Sequence, residues 1–202
     1  MRRASRRFGL SILNYTVTSN HIHLMVLDDG PRGAIARAMH LVSGMVALEF
    51  NARKKRHGAF WEDRYHATAV DTDIYLLRGL FYIDLNMVRA GVVKNPGDWP
   101  YGGFREISAA RRRYCMIDKP KLCRLLKVDP ANLARHYQGW LADYLKNPSM
   151  ERESRWTESL AVGSDAFVEG FKSKMGLRGR YRTIKESDGS FELREGGPAG
   201  RF

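Results

Sequence analysis

Residues 10–27 read LSILNYTVTSNHIHLMVL. Leu13, Tyr15 and Val17 fall on one face of an extended chain, and Ile22, Leu24 and Val26 alternate again after the break Thr18-Ser19-Asn20. Two short strands closed into a hairpin account for both runs. Side chains two apart on a strand share a side, with α-carbons ~7 Å apart, so His21 and His23 can reach one metal ion. Spacing alone favours the plainer reading, two histidines on a polar strand face, by roughly three to one.

The next segments supply what could change that balance. Asp28-Asp29-Gly30-Pro31 is a turn, and Ile35, Met39, Val42, Val46 and Phe50 recur at helical spacing. That helix is expected to end near His57-Gly58, with Arg53-Lys54-Lys55-Arg56 at the negative end of its dipole. A solvated cationic end explains those four charges as well as a phosphate contact does. Phe60 to Val70 reads as a strand. Asp71-Thr72-Asp73 then caps a second helix running to about Ala90, with Gly91 as its stop. Ile74, Leu77, Phe81, Leu85 and Val88 form its expected buried stripe, while Arg78, Tyr82, Asn86 and Arg89 share another face. Taken singly, a tyrosine or asparagine on a helix surface is ordinary. Together with His21 and His23 they offer two imidazoles, an amide oxygen and a phenol able to act as nucleophile.

Asn95 to Gly103 reads as a structured loop. Beyond residue ~105 come the basic run Arg111-Arg112-Arg113 and a helix carrying Leu133, Tyr137, Trp140, Leu141 and Tyr144. Asn147-Pro148-Ser149 resembles a linker, a short helix spans about Ala166 to Met175, and the glycine-rich end from Gly189 reads as loose. The expected organisation is therefore 1–105, a helical extension over 106–147 and a small C-terminal region over 148–202.

The chain has 202 residues, enough for one good-sized domain or a domain with an appendage. Lysine and arginine outnumber aspartate and glutamate by 34 to 22, a net charge of +12. That excess, with a pI near 10.0, points to a polyanionic partner: nucleic acid first, an anionic membrane surface second. A composition of 44% hydrophobic and 11% aromatic residues excludes wholesale disorder. Cys115 and Cys123 fit neither a metal knuckle nor a disulfide framework, which suits a reducing, cytoplasmic setting. No run of ~18 apolar residues is present to span a bilayer. The opening Met1-Arg2-Arg3-Ala4-Ser5-Arg6-Arg7-Phe8 is superficially similar to a twin-arginine signal, but Asn14, Asn20, His21 and His23 occupy the place of an apolar region.

Three blocks carry a family resemblance: Ser19-Asn20-His21-Ile22-His23-Leu24-Met25-Val26, Phe60-Trp61-Glu62-Asp63-Arg64-Tyr65, and Tyr82-Ile83-Asp84-Leu85-Asn86-Met87-Val88-Arg89-Ala90-Gly91-Val92-Val93. In this order they resemble the REP-associated tyrosine transposases, within the insertion-sequence-200-like, single-tyrosine HUH transposases named for the His-hydrophobe-His motif. The resemblance covers about residues 10–105, and more loosely 156–195. It implies an α+β, ferredoxin-like fold whose antiparallel sheet carries helices on one face, with a small helical C-terminal extension. The strand and helix that open the family's fold are expected to be missing ahead of Phe8, and Met87 stands where relatives usually carry proline.

The resemblance further implies Tyr82 as nucleophile and His21, His23 and Asn86 as ligands of a divalent metal, Mg²⁺ or Mn²⁺. Tyr65, Tyr75 and Tyr101 are the competing phenols. The implied partner is single-stranded or hairpin DNA, bound by a monomer or homodimer, with cleavage and rejoining through a 5′-phosphotyrosine. Arg53, Lys54, Lys55, Arg56, Arg64, Arg78, Arg89, Arg111, Arg112 and Arg113 are the candidates for tracking its backbone. The alternative is a catalytically inactive DNA-binding remnant, motivated by the basic charge and the expected loss of the opening strand. An unrelated metallohydrolase rests on the histidine pair alone.

Overall fold

A computed structural model describes residues 1–109, 115–146 and 153–196. Arg111, Arg112, Arg113 and Asn147-Pro148-Ser149 lie outside these. The chain opens with a short helix, α1 (Arg2–Phe8), which no sequence pattern announced; Gly9 closes it in the left-handed conformation at φ 68°. The expected hairpin follows as β1 (Ser11–Val17) and β2 (Ile22–Leu27), antiparallel, with a register irregularity between Ile12 and Asn14. Expected alternation fails on β1, whose residues are buried on both faces from Ser11 to Thr16. Asn14 and Thr16 turn one face to Leu80, Ile83 and Asp84, and Tyr15 turns the other to Glu106. Val17 N–H donates to Tyr101 O (3.0 Å), Gly103 N–H to Tyr15 O (2.7 Å) and Asp118 N–H to Ile12 O (2.7 Å), so loop backbone covers the edge that β2 leaves open.

The long helix α2 (Ala34–Lys54) has the predicted place. Phe60 to Val70 does not form the predicted strand: only β3 (Ala69–Val70) is extended into a ladder. The aromatic start of that stretch docks on α2 instead, with Phe60 4.6 Å from Phe50 between ring centroids and Trp61 Nε1 donating to Ser43 O at 3.0 Å. The second helix is interrupted. It runs as α3 (Ile74–Asp84) and resumes as α4 (Asn86–Arg89), because Leu85 has ψ 1°, far from the helical value. Its stripe is also rotated from the expected one: Ile74 is 50% exposed, and Leu76, Leu80 and Ile83 join Phe81 and Leu85 in the interior.

Three further helices, α5 (Phe104–Ser108), α6 (Lys119–Leu126) and α7 (Leu133–Tyr144), close over the hairpin. Ile12, Leu80, Leu85, Leu122 and Tyr137 share this main apolar cluster. After α8 (Arg155–Glu158) come β4 (Ala161–Gly163), α9 (Asp165–Lys174), β5 (Arg182–Ser187) and β6 (Ser190–Glu195). Within the end that reads as loose from Gly189, Ser190–Glu195 is thus corrected to a strand. Asp188 and Gly189, at φ 48° and 66°, make the two-residue turn that favours Asp-Gly between antiparallel strands. The architecture is α+β, with the antiparallel pair β1-β2 and a mixed sheet in the order β3-β4-β6-β5, where β3 and β4 run parallel. Among the described residues no helix is long and apolar enough to cross a membrane.

A buried polar network ties hairpin to helices. Asn14 Nδ2 donates to Asp84 Oδ1 (2.9 Å) and Leu80 O (3.2 Å), Tyr137 Oη donates to Asp84 Oδ2 (2.6 Å), and Thr16 Oγ1 donates to Ile83 O (3.0 Å). Burial raises the Asp84 carboxyl from 3.8 to about 7, against the pull of the Tyr137 and Asn14 hydrogen bonds. The folded chain therefore holds a proton that the unfolded chain releases near pH 4, so this group's contribution to stability falls as pH rises towards 7 and is level above it. Urea midpoints measured from pH 4.5 to 8 should show that decline, and Asp84→Asn, which keeps the shape and removes the titration, should flatten it.

Candidate active site

The turn before β2 fixes the first histidine. Thr18 N–H donates to His21 O (2.9 Å), His21 N–H donates to Thr18 Oγ1 (3.1 Å), and His21 Nδ1 lies 2.8 Å from Asn20 Oδ1. A proton on Nδ1 shared with that amide oxygen leaves Nε2 as the lone-pair nitrogen. His23, two residues on, places its ring centroid 4.8 Å from that of His21, at 81°.

Tyr82 on α3 comes to the same place. Its ring centroid lies 5.7 Å from that of His23, edge-on at 83°. Strand and helix meet at Gly79, where a Cβ would lie 2.8 Å from Met25 Cε, the movable end of a flexible side chain on β2. Tyr82 is only 6% exposed, so the expected helix-surface aromatic is in fact enclosed. Arg89, from α4, sets its guanidinium carbon 4.2 Å from the Tyr82 ring centroid and donates from Nη2 to Tyr82 O at 2.5 Å. Burial lowers the Arg89 pKa from its ordinary value, while Tyr82, Glu153 and Tyr144 pull it back.

His21, His23, Tyr82, Asn86 and Arg89 line one cavity of about 540 Å³. A second cavity, about 580 Å³, runs along β2 and the 65–72 segment and shares His23 and Tyr82 with the first. The competing phenols stand elsewhere: Tyr65 borders only the second cavity, Tyr101 packs on Trp99 at 5.4 Å, and Tyr75 borders neither. Among the described residues no group of three or more His, Cys, Asp or Glu could hold a metal ion.

Among the described residues, Arg89 alone of the cations singled out by sequence lines the first cavity. Arg53, Lys54, Lys55 and Arg56 are exposed at the far end of α2, with Arg53 and Arg56 each 5.9 Å from the Phe50 ring centroid. Arg64 is exposed in the irregular 60–68 stretch. Arg78 turns to the C-terminal hairpin, where Nη1 donates to Asp188 O at 3.4 Å.

Two contributors to the site escaped the sequence reading. Thr157 lines the first cavity, and the Trp156 ring centroid lies 6.1 Å from that of Tyr82. Nothing in local spacing joins α8 to α3. What holds α8 in place is Arg155, 8% exposed along its side chain, which donates to Ser190 Oγ (2.7 Å) and Asp188 Oδ2 (2.6 Å) and pairs with Glu153 Oε2 at 3.2 Å. Glu192, buried beside it, keeps Arg194 (2.8 Å) and Ser159 (2.9 Å) as partners in any case. Arg155→Met should therefore cost about 2 kcal/mol in urea unfolding, within the range for hydrogen bonds to a charged group rather than that of a stranded buried charge. Arg155→Lys should not restore it, since one ammonium cannot span the fork.

Residues 1–85 match the family of IS200-like transposases. No curated protein and no solved structure matches the chain. The matched residues include the short opening helix, the hairpin with both histidines, and α3 with Tyr82. Over that stretch the chain is similar to the IS200-like transposases.

Proposed function

We propose that the chain cuts and rejoins single-stranded or hairpin DNA, of the repetitive palindromic kind, through a covalent 5′-phosphotyrosine on Tyr82. The observation that carries this reading is the convergence of His21, His23, Tyr82, Asn86 and Arg89 on one cavity. The Tyr82 oxygen attacks the scissile phosphorus and loses its proton. The bond to the 3′ oxygen breaks, that oxygen leaves as a hydroxyl, and the phosphodiester energy is kept in the tyrosyl ester for rejoining. Arg89 offers a cation to the phosphate at a site where water is partly excluded, which strengthens its effect.

The donor set suits a divalent cation. His21, His23 and Asn86 would hold it through two imidazoles and an amide oxygen; Mn²⁺ accepts that mixture readily, Mg²⁺ with more reliance on water and phosphate oxygens, and Zn²⁺ less well for want of a third nitrogen or sulfur. Such an ion supplies polarisation of the non-bridging phosphate oxygens. A second reading, DNA binding without cleavage, draws on the near burial of Tyr82 beneath Arg89.

Incubation of the chain with single-stranded palindromic DNA and Mn²⁺ separates the two. The proposal expects a covalent protein–DNA adduct that disappears in Tyr82→Phe and falls by about a hundredfold in His23→Ala, the scale of removing one group that stabilises the transition state. Salt-sensitive binding with no adduct would instead establish the binding-only reading. Alanine at Arg53, Lys54, Lys55 and Arg56 should flatten the plot of log affinity against log salt by about one unit for each phosphate that is no longer neutralised.

A further inference from the structure

Resting on the proposed role of Tyr82, we infer that Trp156, outside the family-matched residues, is a positioning residue that fixes the ring of the nucleophile. A phenol attacks phosphorus only when its oxygen is held in line and close, so the freedom of the ring about its two side-chain torsions must be taken up by neighbours. Among the described residues His23, Arg89 and Trp156 contact the Tyr82 ring. His23 meets it edge-on and Arg89 lies over it, both from the matched stretch or its immediate continuation. The third is Trp156 of α8, tilted at 37° with centroids 6.1 Å apart.

The indole is itself held. Its Nε1 donates to Glu153 Oε2 at 3.2 Å, and the adjoining Arg155 is anchored to the Asp188-Gly189 turn and to Ser190. The indole also packs on α3: a Cβ on Gly79, three residues before Tyr82, would lie 3.4 Å from Trp156 Cζ3, an ordinary contact distance. Trp156 is not an interior residue of either apolar cluster, but is half-buried at the rim of the cavity system beside Thr157. An aromatic plane so anchored against a nucleophile restrains its orientation more than it stabilises the fold.

The test uses the full chain with Trp156→Ala, Trp156→Leu and Trp156→Phe, single-stranded palindromic DNA and Mn²⁺. In single-turnover reactions at saturating DNA, Ala and Leu should slow adduct formation by about tenfold or more while DNA affinity stays within about twofold; Phe, which keeps a ring, should restore the rate to within about threefold. Aromatic NMR should show Tyr82 ring flipping faster in the leucine variant by about tenfold. Should the alanine variant fail to fold, the Leu and Phe pair decides, since leucine fills volume without a plane. An unchanged adduct rate and unchanged Tyr82 signals in Trp156→Leu overturn the inference. A wild-type chain that forms no Tyr82-dependent adduct overturns the enzymatic reading instead, and the ring-flip measurement then decides the positioning claim by itself.

Discussion

The geometry of the site depends on Asn14, a fully buried amide in the middle of β1. Its Nδ2 meets Asp84 and the Leu80 carbonyl, while its Oδ1 accepts from Tyr15 N–H at 2.8 Å. These bonds are not what makes the core stable. A neutral hydrogen bond contributes about 1 kcal/mol net, whereas each of the fully buried Ile12, Leu13, Leu80 and Leu85 contributes about 1.5–3 kcal/mol by leaving water. What the network supplies is register. Apolar contacts tolerate sliding, but a shift of β1 against α3 by one residue would leave Asn14 and Asp84 buried without partners. A one-residue slip in the β1-β2 ladder would also turn His21 and His23 to the other side of the hairpin. Gly103 belongs to the same constraint, since a Cβ there would lie 2.2 Å from Asn14 Oδ1.

The opposite end of α3 is held by a different device. Asp71, just before the helix, accepts from Ser164 Oγ at 2.6 Å and Ser164 N–H at 3.1 Å. Burial pushes the Asp71 carboxyl up, yet the Ser164 and Thr72 donors outweigh it and leave its pKa below the ordinary value. Gly163 allows the approach, because a Cβ there would meet Asp71 Cβ at 2.4 Å. Through β3, which pairs with β4, and through Asp71, the C-terminal sheet grips the start of the helix whose last turn bears Tyr82. The hairpin grips its end through Asp84. The tyrosine is thus placed by two regions that are remote from each other in sequence.

This division explains what could be read in advance. The hairpin, α2, α3 and α7 announce themselves by period, and the first cavity's principal residues were singled out by two local spacings, His21 with His23 and Tyr82 with Asn86, only when joined to the family resemblance. Features set by remote partners left no such mark. Asn14 and Thr16 carry no local sign of burial, because the groups that take their side chains, Leu80, Ile83 and Asp84, lie 66 to 70 residues away. Phe60 and Trp61 have strand-like composition but were claimed by α2. Asp188-Gly189 did carry a hairpin signal, which the surrounding glycine content obscured. Trp156 and Thr157 had none, since contacts remote in sequence, among them the Arg155 anchor, bring them to Tyr82. Charge counting found Arg89 but could not distinguish it from cations exposed elsewhere.

That last distinction matters for how the proposed reaction would divide its labour. Met39 borders the second cavity, and fourteen residues of helix separate it from Arg53, which at ~1.5 Å per residue is a run of about 21 Å. With a Debye length of about 8 Å at physiological salt, the exposed charges at the end of α2 have little field left at the Tyr82 cavity. Their contribution to a DNA complex would be affinity and capture rate, given up as salt rises. Arg89 is different, because it is partly buried, lies against the phenol ring and borders the space where a scissile phosphate would sit. A charge so placed is poorly screened and cannot be exchanged for one on α2. Removing it should act on the chemical step, whereas removing the α2 cluster should act on how often DNA is bound.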